Sequence, residues 1–141
     1  MMKRRRRTEI LIQSDSSLAR SFAEMITQNH ECQEIVAPQY GLTMIKMRES
    51  AKNSLFYIGE VLVTEAKVEI NNQIGIGIVV GMQDELAKHL AIIDAAYKAN
   101  LPEVEEWNPQ LQRAEQQIMS RRAKEQADLF ETKVNFETMD V

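Results

Sequence analysis

The feature that most constrains this chain is a change of hydrophobic period between Glu65 and Tyr97. Ala66, Val68 and Ile70 alternate with Glu65, Lys67 and Glu69, the two-residue period of a half-buried strand. Asn71 and Asn72 interrupt the alternation, and Ile74, Ile76, Ile78 and Val80 restart it with Gly75 and Gly77 between them. The two runs read as a β-hairpin. Placing Ile70 opposite Ile74 on one apolar face predicts a loop spanning Asn71 to Gln73, with asparagine tolerating positive φ. After Gly81 the period becomes helical: Leu86, Leu90, Ile93 and Tyr97 make one stripe, and Asp84, Lys88 and Lys98 lie off it. Asp84 is the expected N-cap, Asn100 the C-terminal cap, and Pro102 stops the helix. Each apolar surface needs a cover, and the simplest arrangement lays this helix on the sheet.

The glycines do not form a phosphate loop, whose glycines belong in the turn between strand and helix. Gly75 and Gly77 sit inside a strand, which predicts a face where another backbone comes close, either a helix or a partner segment. Only Gly81, just ahead of Asp84, retains any anion-site character, and Asp84 would repel an anion.

Elsewhere the signals are more local. The basic run Lys3 to Arg7 reads as a solvated terminus, with contact to phosphates or to an acidic partner as the alternative. Ile10 to Ile12 form a short apolar patch that fits a strand or a helical turn. Ser14 is the expected cap of a helix with the stripe Leu18, Phe22, Met25 and Ile26. Two short strands are expected around Ile35 and Val36 and from Leu42 to Met47, separated by a turn at Pro38 and Gly41, with a second turn at Ser50 to Asn53. The run Leu55 to Val63 is apolar at both parities and reads as a central strand covered on both faces, continuous with the piece ending at Ile70. From Asn108 and Pro109 a long helix begins. Its apolar residues change direction, from Leu111, Ala114 and Ile118 to Met119, Ala123, Ala127, Phe130 and Val134. A helix burying two faces in succession has two neighbours, and the second is either another chain or the curved helix's own core.

The expected fold is therefore α+β: an antiparallel sheet of about four strands with an N-terminal helix, a central helix and a long C-terminal helix. With 141 residues, 44% of them hydrophobic, the chain suits one domain, 1–141, with a basic extension over 1–7 and a partner-binding helix and tail over 108–141. Gly75, Gly77, Phe130, Val134, Phe136 and Met139 are the candidate partner contacts. A net charge of −4 argues against a general nucleic-acid binder. The single cysteine, Cys32, excludes a disulfide framework and a multi-cysteine zinc site. No apolar run approaches the ~18 residues of a membrane helix, and a cytoplasmic protein is expected.

For chemistry the sequence offers little. His89 lies one turn after Glu85, a spacing that suits an acid–base pair or two metal ligands, and Asp84 is near. Two ligands do not make a metal site, and a contact between neighbouring side chains on a helix flank is the better explanation of the spacing. Cys32 reads as a small buried hydrophobe, and Asp94, set in an apolar run, as either a buried hydrogen-bonding group or an exposed one.

The run Gly59 to Tyr97, GEVLVTEAKVEINNQIGIGIVVGMQDELAKHLAIIDAAY, together with Asp84, Ala87, Ala91, Asp94, Ala95 and the terminal VNFETM, Val134 to Met139, resembles the PhnG subunit of the bacterial carbon–phosphorus lyase core complex. The basic start lies outside the resemblance. The resemblance implies a small subunit working with PhnI-like, PhnH-like and PhnJ-like subunits and a PhnL-like ATPase. It implies a role in phosphonate breakdown where a phosphonate displaces adenine from ATP, giving ribose 1-phosphonate 5-triphosphate. It brings no catalytic residue and no cofactor with it. The rival readings are a stand-alone acid–base enzyme using Asp84, Glu85 and His89, and a small nucleic-acid module using Lys3 to Arg7.

Overall fold

The computed structural model describes the backbone of residues 2–48 and 55–139, and their side chains except at 45, 47, 48, 55–58 and 130–139. The elements run α1 (Arg4–Gln13), α2 (Ser16–Asn29), β1 (Gln33–Arg48), β2 (Leu55–Ile70), β3 (Gln73–Val80), α3 (Asp84–Lys98) and α4 (Glu103–Met139). The architecture is α+β, with the three strands antiparallel in the order β1-β2-β3. The sheet has fewer strands than expected because the pieces around Ile35 and Leu42 are one strand. Tyr40 and Gly41, expected in a turn, pair with Thr64 and Val63. Pro38 falls at an irregularity between Val36 and Gln39, and β1 tolerates it because an edge strand leaves one side of its backbone unpaired. The turn expected at Ser50 to Asn53 lies outside the described residues.

The β2–β3 hairpin corrects the expected register. Ile70 pairs with Gln73, so the loop holds only Asn71 and Asn72, at φ 49° and 65°. Two successive left-handed residues make the turn whose twist matches that of the strands. Moving the register by one residue exchanges the faces of β3. Ala66 now opposes Gly77 and Val68 opposes Gly75 on the covered face. Ile74, Ile78 and Val80 face outward, 45%, 50% and 61% exposed, opposite Glu69, Glu65 and Val63.

The glycine face is where α3 lands. A Cβ built on Gly75 would lie 2.2 Å from the Ala91 carbonyl oxygen and the Ala95 nitrogen, and one on Gly77 would lie 2.1 Å from the Ala87 carbonyl oxygen. Ala87, Ala91 and Ala95 recur at every turn of α3 and are fully buried. Helix backbone therefore lies directly on strand backbone, with only glycine and alanine able to occupy the seam. Behind α3, its Ile92, Ile93 and Ala96 join Phe22 and Ile26 of α2 and Trp107 and Leu111 of α4 in one core. Trp107 stacks on Phe22 at 4.6 Å between centroids, with 8° between the planes.

Turn chemistry fixes the ends of α3. Thr64, fully buried on β2, donates its hydroxyl to the Gly81 carbonyl at 2.6 Å and accepts from the Gln83 amide at 3.1 Å. Gln83, not Asp84, is the N-cap. At the far end Asn100 adopts φ 53°, with Asn100 N bonding Tyr97 O and Leu101 N bonding Ala96 O, a Schellman closure that buries Leu101. The cap of α2 is Asp15, whose carboxylate accepts from Ser17 N at 3.2 Å, and not Ser14. The long helix α4 starts at Glu103, ahead of the expected Asn108. Glu103, Glu105 and Glu106 in its first turn complement the positive end of the helix dipole, and Pro109 lies inside it.

The N-terminus is not a frayed extension. Arg4–Gln13 is a helix, with Arg7, Ile10 and Leu11 buried. Beyond Val63 and Val80, β2 has only β1 beside it, so Gly59–Leu62 belongs to a two-stranded ribbon instead of a doubly covered strand. On α4, Val104, Trp107, Leu111 and Ile118 are buried, and every described residue from Met119 to Leu129 is exposed. The first of its two apolar directions thus covers the chain's own core. The second is uncovered as far as Leu129.

Candidate functional site

Two adjoining clefts run along the junction of α2 and α3, with volumes of about 580 and 510 Å³. Arg20, Glu85 and His89 line both. Glu24, Thr27 and Lys88 are among the further residues of the first, and Tyr40, Gln83 and Asp84 of the second. The candidate acid–base residues Asp84, Glu85 and His89 are therefore brought together, as helical spacing predicts. Sequence reasoning missed Arg20, Glu24 and Thr27, which arrive from α2, and Tyr40, from β1; none carries a local signal.

The geometry shows what these groups do in the resting protein. The Tyr40 hydroxyl donates to Asp84 Oδ1 at 2.7 Å, and that bond is the main reason its pKa lies above the ordinary tyrosine value. Glu85 pairs loosely with Arg20, 3.5 Å apart across an exposed surface, a contact worth little in water. Burial is the leading influence on His89 and holds its pKa below the ordinary 6.5, with Glu85 and Glu24 pulling upward and Arg20 and Lys88 downward. At pH 7 the imidazole is neutral and able to accept a proton. Among the described residues no group of three His, Cys, Asp or Glu side chains is placed to hold a metal ion.

The other candidates are engaged in packing. His30, at the C-cap of α2, bonds Glu103 Oε1 at 2.8 Å. Burial acts to raise the Glu103 pKa, but its own backbone amide and His30 together hold it below the ordinary value. Cys32 has its thiol pushed up by burial, against the pull of Lys88, which is the wrong direction for a nucleophile. Gly75 and Gly77 meet α3 of this same chain, so their face is closed. Phe130, Val134, Phe136 and Met139 lie outside the described side chains.

Among the described residues Asp94 is the most heavily engaged polar one, and only one side of its role is visible in the sequence. It is 5% exposed and ringed by cations: Arg4 Nε at 3.0 Å, Arg7 at 3.3 Å and Lys98 Nζ at 3.3 Å. Its Oδ2 also accepts from the backbone amide of Ile76 at 2.9 Å. Arg7, itself buried, lies over the Tyr97 ring at 3.7 Å from the centroid. The signal that finds Arg7 is its helical spacing from Ile10 and Leu11, which extends their stripe back into the basic run. A clamp between the first helix and the edge of the sheet is thus part of the fold itself.

No curated protein matches the sequence closely enough to count as a relative. A family model does match, and it includes the basic start that the resemblance left out, in keeping with the docking of Arg4 and Arg7 in the structure. Matched over residues 2–140 by the model of the family described as phosphonate metabolism protein PhnG, the chain belongs to that family of the carbon–phosphorus lyase system.

Proposed function

We propose that this chain is an accessory and assembly subunit of the carbon–phosphorus lyase complex, working in the cytoplasm. It supports the step in which an alkylphosphonate displaces adenine from ATP to give ribose 1-phosphonate 5-triphosphate, while a PhnI-like subunit holds the reaction centre. PhnH-like and PhnJ-like subunits and a PhnL-like ATPase complete its surroundings. The observation that carries this reading is α4, a helix that covers the core as far as Ile118 and then continues with all its described residues exposed. The helix and tail over 108–141 act as the partner-binding arm, with Phe130, Val134, Phe136 and Met139 as its apolar anchors.

The test is genetic and biochemical. Deleting the gene is expected to abolish growth on methylphosphonate as sole phosphorus source, and normal growth of the deletant would overturn the assignment. A second reading, favoured by the gathering of Asp84, Glu85 and His89 in one cleft, makes the chain an enzyme by itself. The two part on adenine release from ATP and methylphosphonate by the isolated chain. An accessory subunit is inert, whereas an enzyme is active and loses that activity on His89→Ala.

A further inference from the structure

The two edges of the sheet are treated differently. On β3 side chains occupy outward backbone groups of Ile74, Ile76 and Val80. Lys98 Nζ bonds the Ile74 carbonyl at 2.8 Å, Arg4 reaches the Ile76 carbonyl at 3.5 Å, Asp94 takes the Ile76 amide, and Gln83 Nε2 bonds the Val80 carbonyl at 2.9 Å. Such contacts close an edge to further strands. On β1, among the described residues, no side chain bonds the backbone of Gln39–Met44. That segment lies within a stretch, Gln39 to Ile45, whose pairing with β2 is uninterrupted.

The open edge also presents apolar surface with a two-residue period. Tyr40, Leu42 and Met44 are 48%, 67% and 57% exposed and share the face of their β2 partners Thr64, Leu62 and Glu60. Gly41 and Thr43, on the other face, are small. The pattern is self-complementary. Set two copies antiparallel about a two-fold axis at Leu42, and Leu42 meets its own copy, Tyr40 meets the copy's Met44, and Gly41 meets the copy's Thr43. Methionine against an aromatic ring is a favourable contact. A parallel arrangement would place Glu34 beside Glu34 and Lys46 beside Lys46, like charges side by side, whereas the antiparallel one separates them.

We propose that two copies of this chain pair antiparallel through β1, edge to edge about Leu42, joining their sheets into a continuous six-stranded one. This interface is distinct from the α4 arm and stands whether or not the reading as a complex subunit holds.

The test uses the purified full-length chain. Sedimentation equilibrium is expected to give a dimer, and Leu42→Lys, at a solvent-facing position where circular dichroism and melting should stay unchanged, is expected to weaken it at least about a hundredfold, since one leucine is lost from each side. In a Cys32→Ser background, Leu42→Cys is expected to form a disulfide-linked dimer under mild oxidation, while Ile78→Cys, on the sealed strand, is not. A chain that stays monomeric at every concentration, a dimer indifferent to Leu42→Lys, or cross-linking at Ile78→Cys as readily as at Leu42→Cys would each overturn the proposal.

Discussion

Replacing Gly77 with alanine is the smallest change that tests how α3 sits on the sheet. In an ordinary strand this substitution removes freedom from the unfolded chain and stabilises by about 0.4–1 kcal/mol where the backbone permits it. Here the added methyl would lie 2.1 Å from the Ala87 carbonyl oxygen and 2.7 Å from the Ala91 nitrogen, both backbone atoms of a helix that cannot turn aside as a side chain can. Restoring ordinary contact requires α3 to rise from β3 by about 1 Å along the seam. The lift loosens Ala91 and Ala95 over Gly75 and draws Ile92, Ile93 and Ala96 against Phe22 and Trp107. Overpacking of a fitted core costs typically about 1–3 kcal/mol, and two rigid backbones place this case at the upper end. Urea denaturation is the assay, with Gly59→Ala as the control, because a Cβ there meets nothing within 4 Å. The expected result is a loss of about 3 kcal/mol for Gly77→Ala and no loss for Gly59→Ala. Adding Gly75→Ala to Gly77→Ala should cost less than the two single losses together, because the helix has already moved. Equal stabilities for Gly77→Ala and the wild type would refute the direct seating of helix backbone on strand backbone.

Other expectations follow from the polar core, the cleft and α4. Asp94→Asn keeps an acceptor for the Ile76 amide but leaves the buried Arg7 without its counter-charge, and chemical denaturation should show a loss of about 3 kcal/mol or more; the paired change Asp94→Asn with Arg7→Met, which keeps that acceptor and removes the stranded charge, should recover most of it. The His89 pKa is depressed in the folded protein, so its contribution to stability is complete above the unfolded value near 6.5 and is lost as pH falls through the folded value. Melting temperature should therefore fall on acidification below about pH 6.5, more steeply for the wild type than for His89→Gln; parallel pH profiles would show that His89 carries no linkage. Truncation after Arg122 removes a segment whose described residues, to Leu129, are all exposed, so the melting temperature should hold while co-purification with a PhnI-like subunit is lost. Outright unfolding of the truncated chain would mean that the distal part of α4 covers its own core.

Local periodicity determined much of this protein. The alternation through Ala66, Val68 and Ile70 placed that face inward, the helical stripe placed α3, and Gly75 with Gly77 foretold a close backbone neighbour, because each of these depends on residues a turn or a pleat apart. The cleft was legible to a lesser extent: Glu85 and His89 are neighbours on any helix, but Arg20, Glu24 and Thr27 of α2 and Tyr40 of β1 had to be supplied by the fold. The hairpin register was not legible, since apolar residues alternate on β3 under either loop length. What decided it was the pair of asparagines able to hold positive φ, together with a helix that needed glycine beneath it. The isoleucines were left outside, although hydrophobicity alone would have buried them. Nor could sequence join Arg7 to Asp94, which lie 87 residues apart and meet only because α1 packs against α3. Tertiary structure alone decided that a basic run resembling a loose terminus became a buried counter-charge, because a carboxylate taken out of water must be paired where it lies.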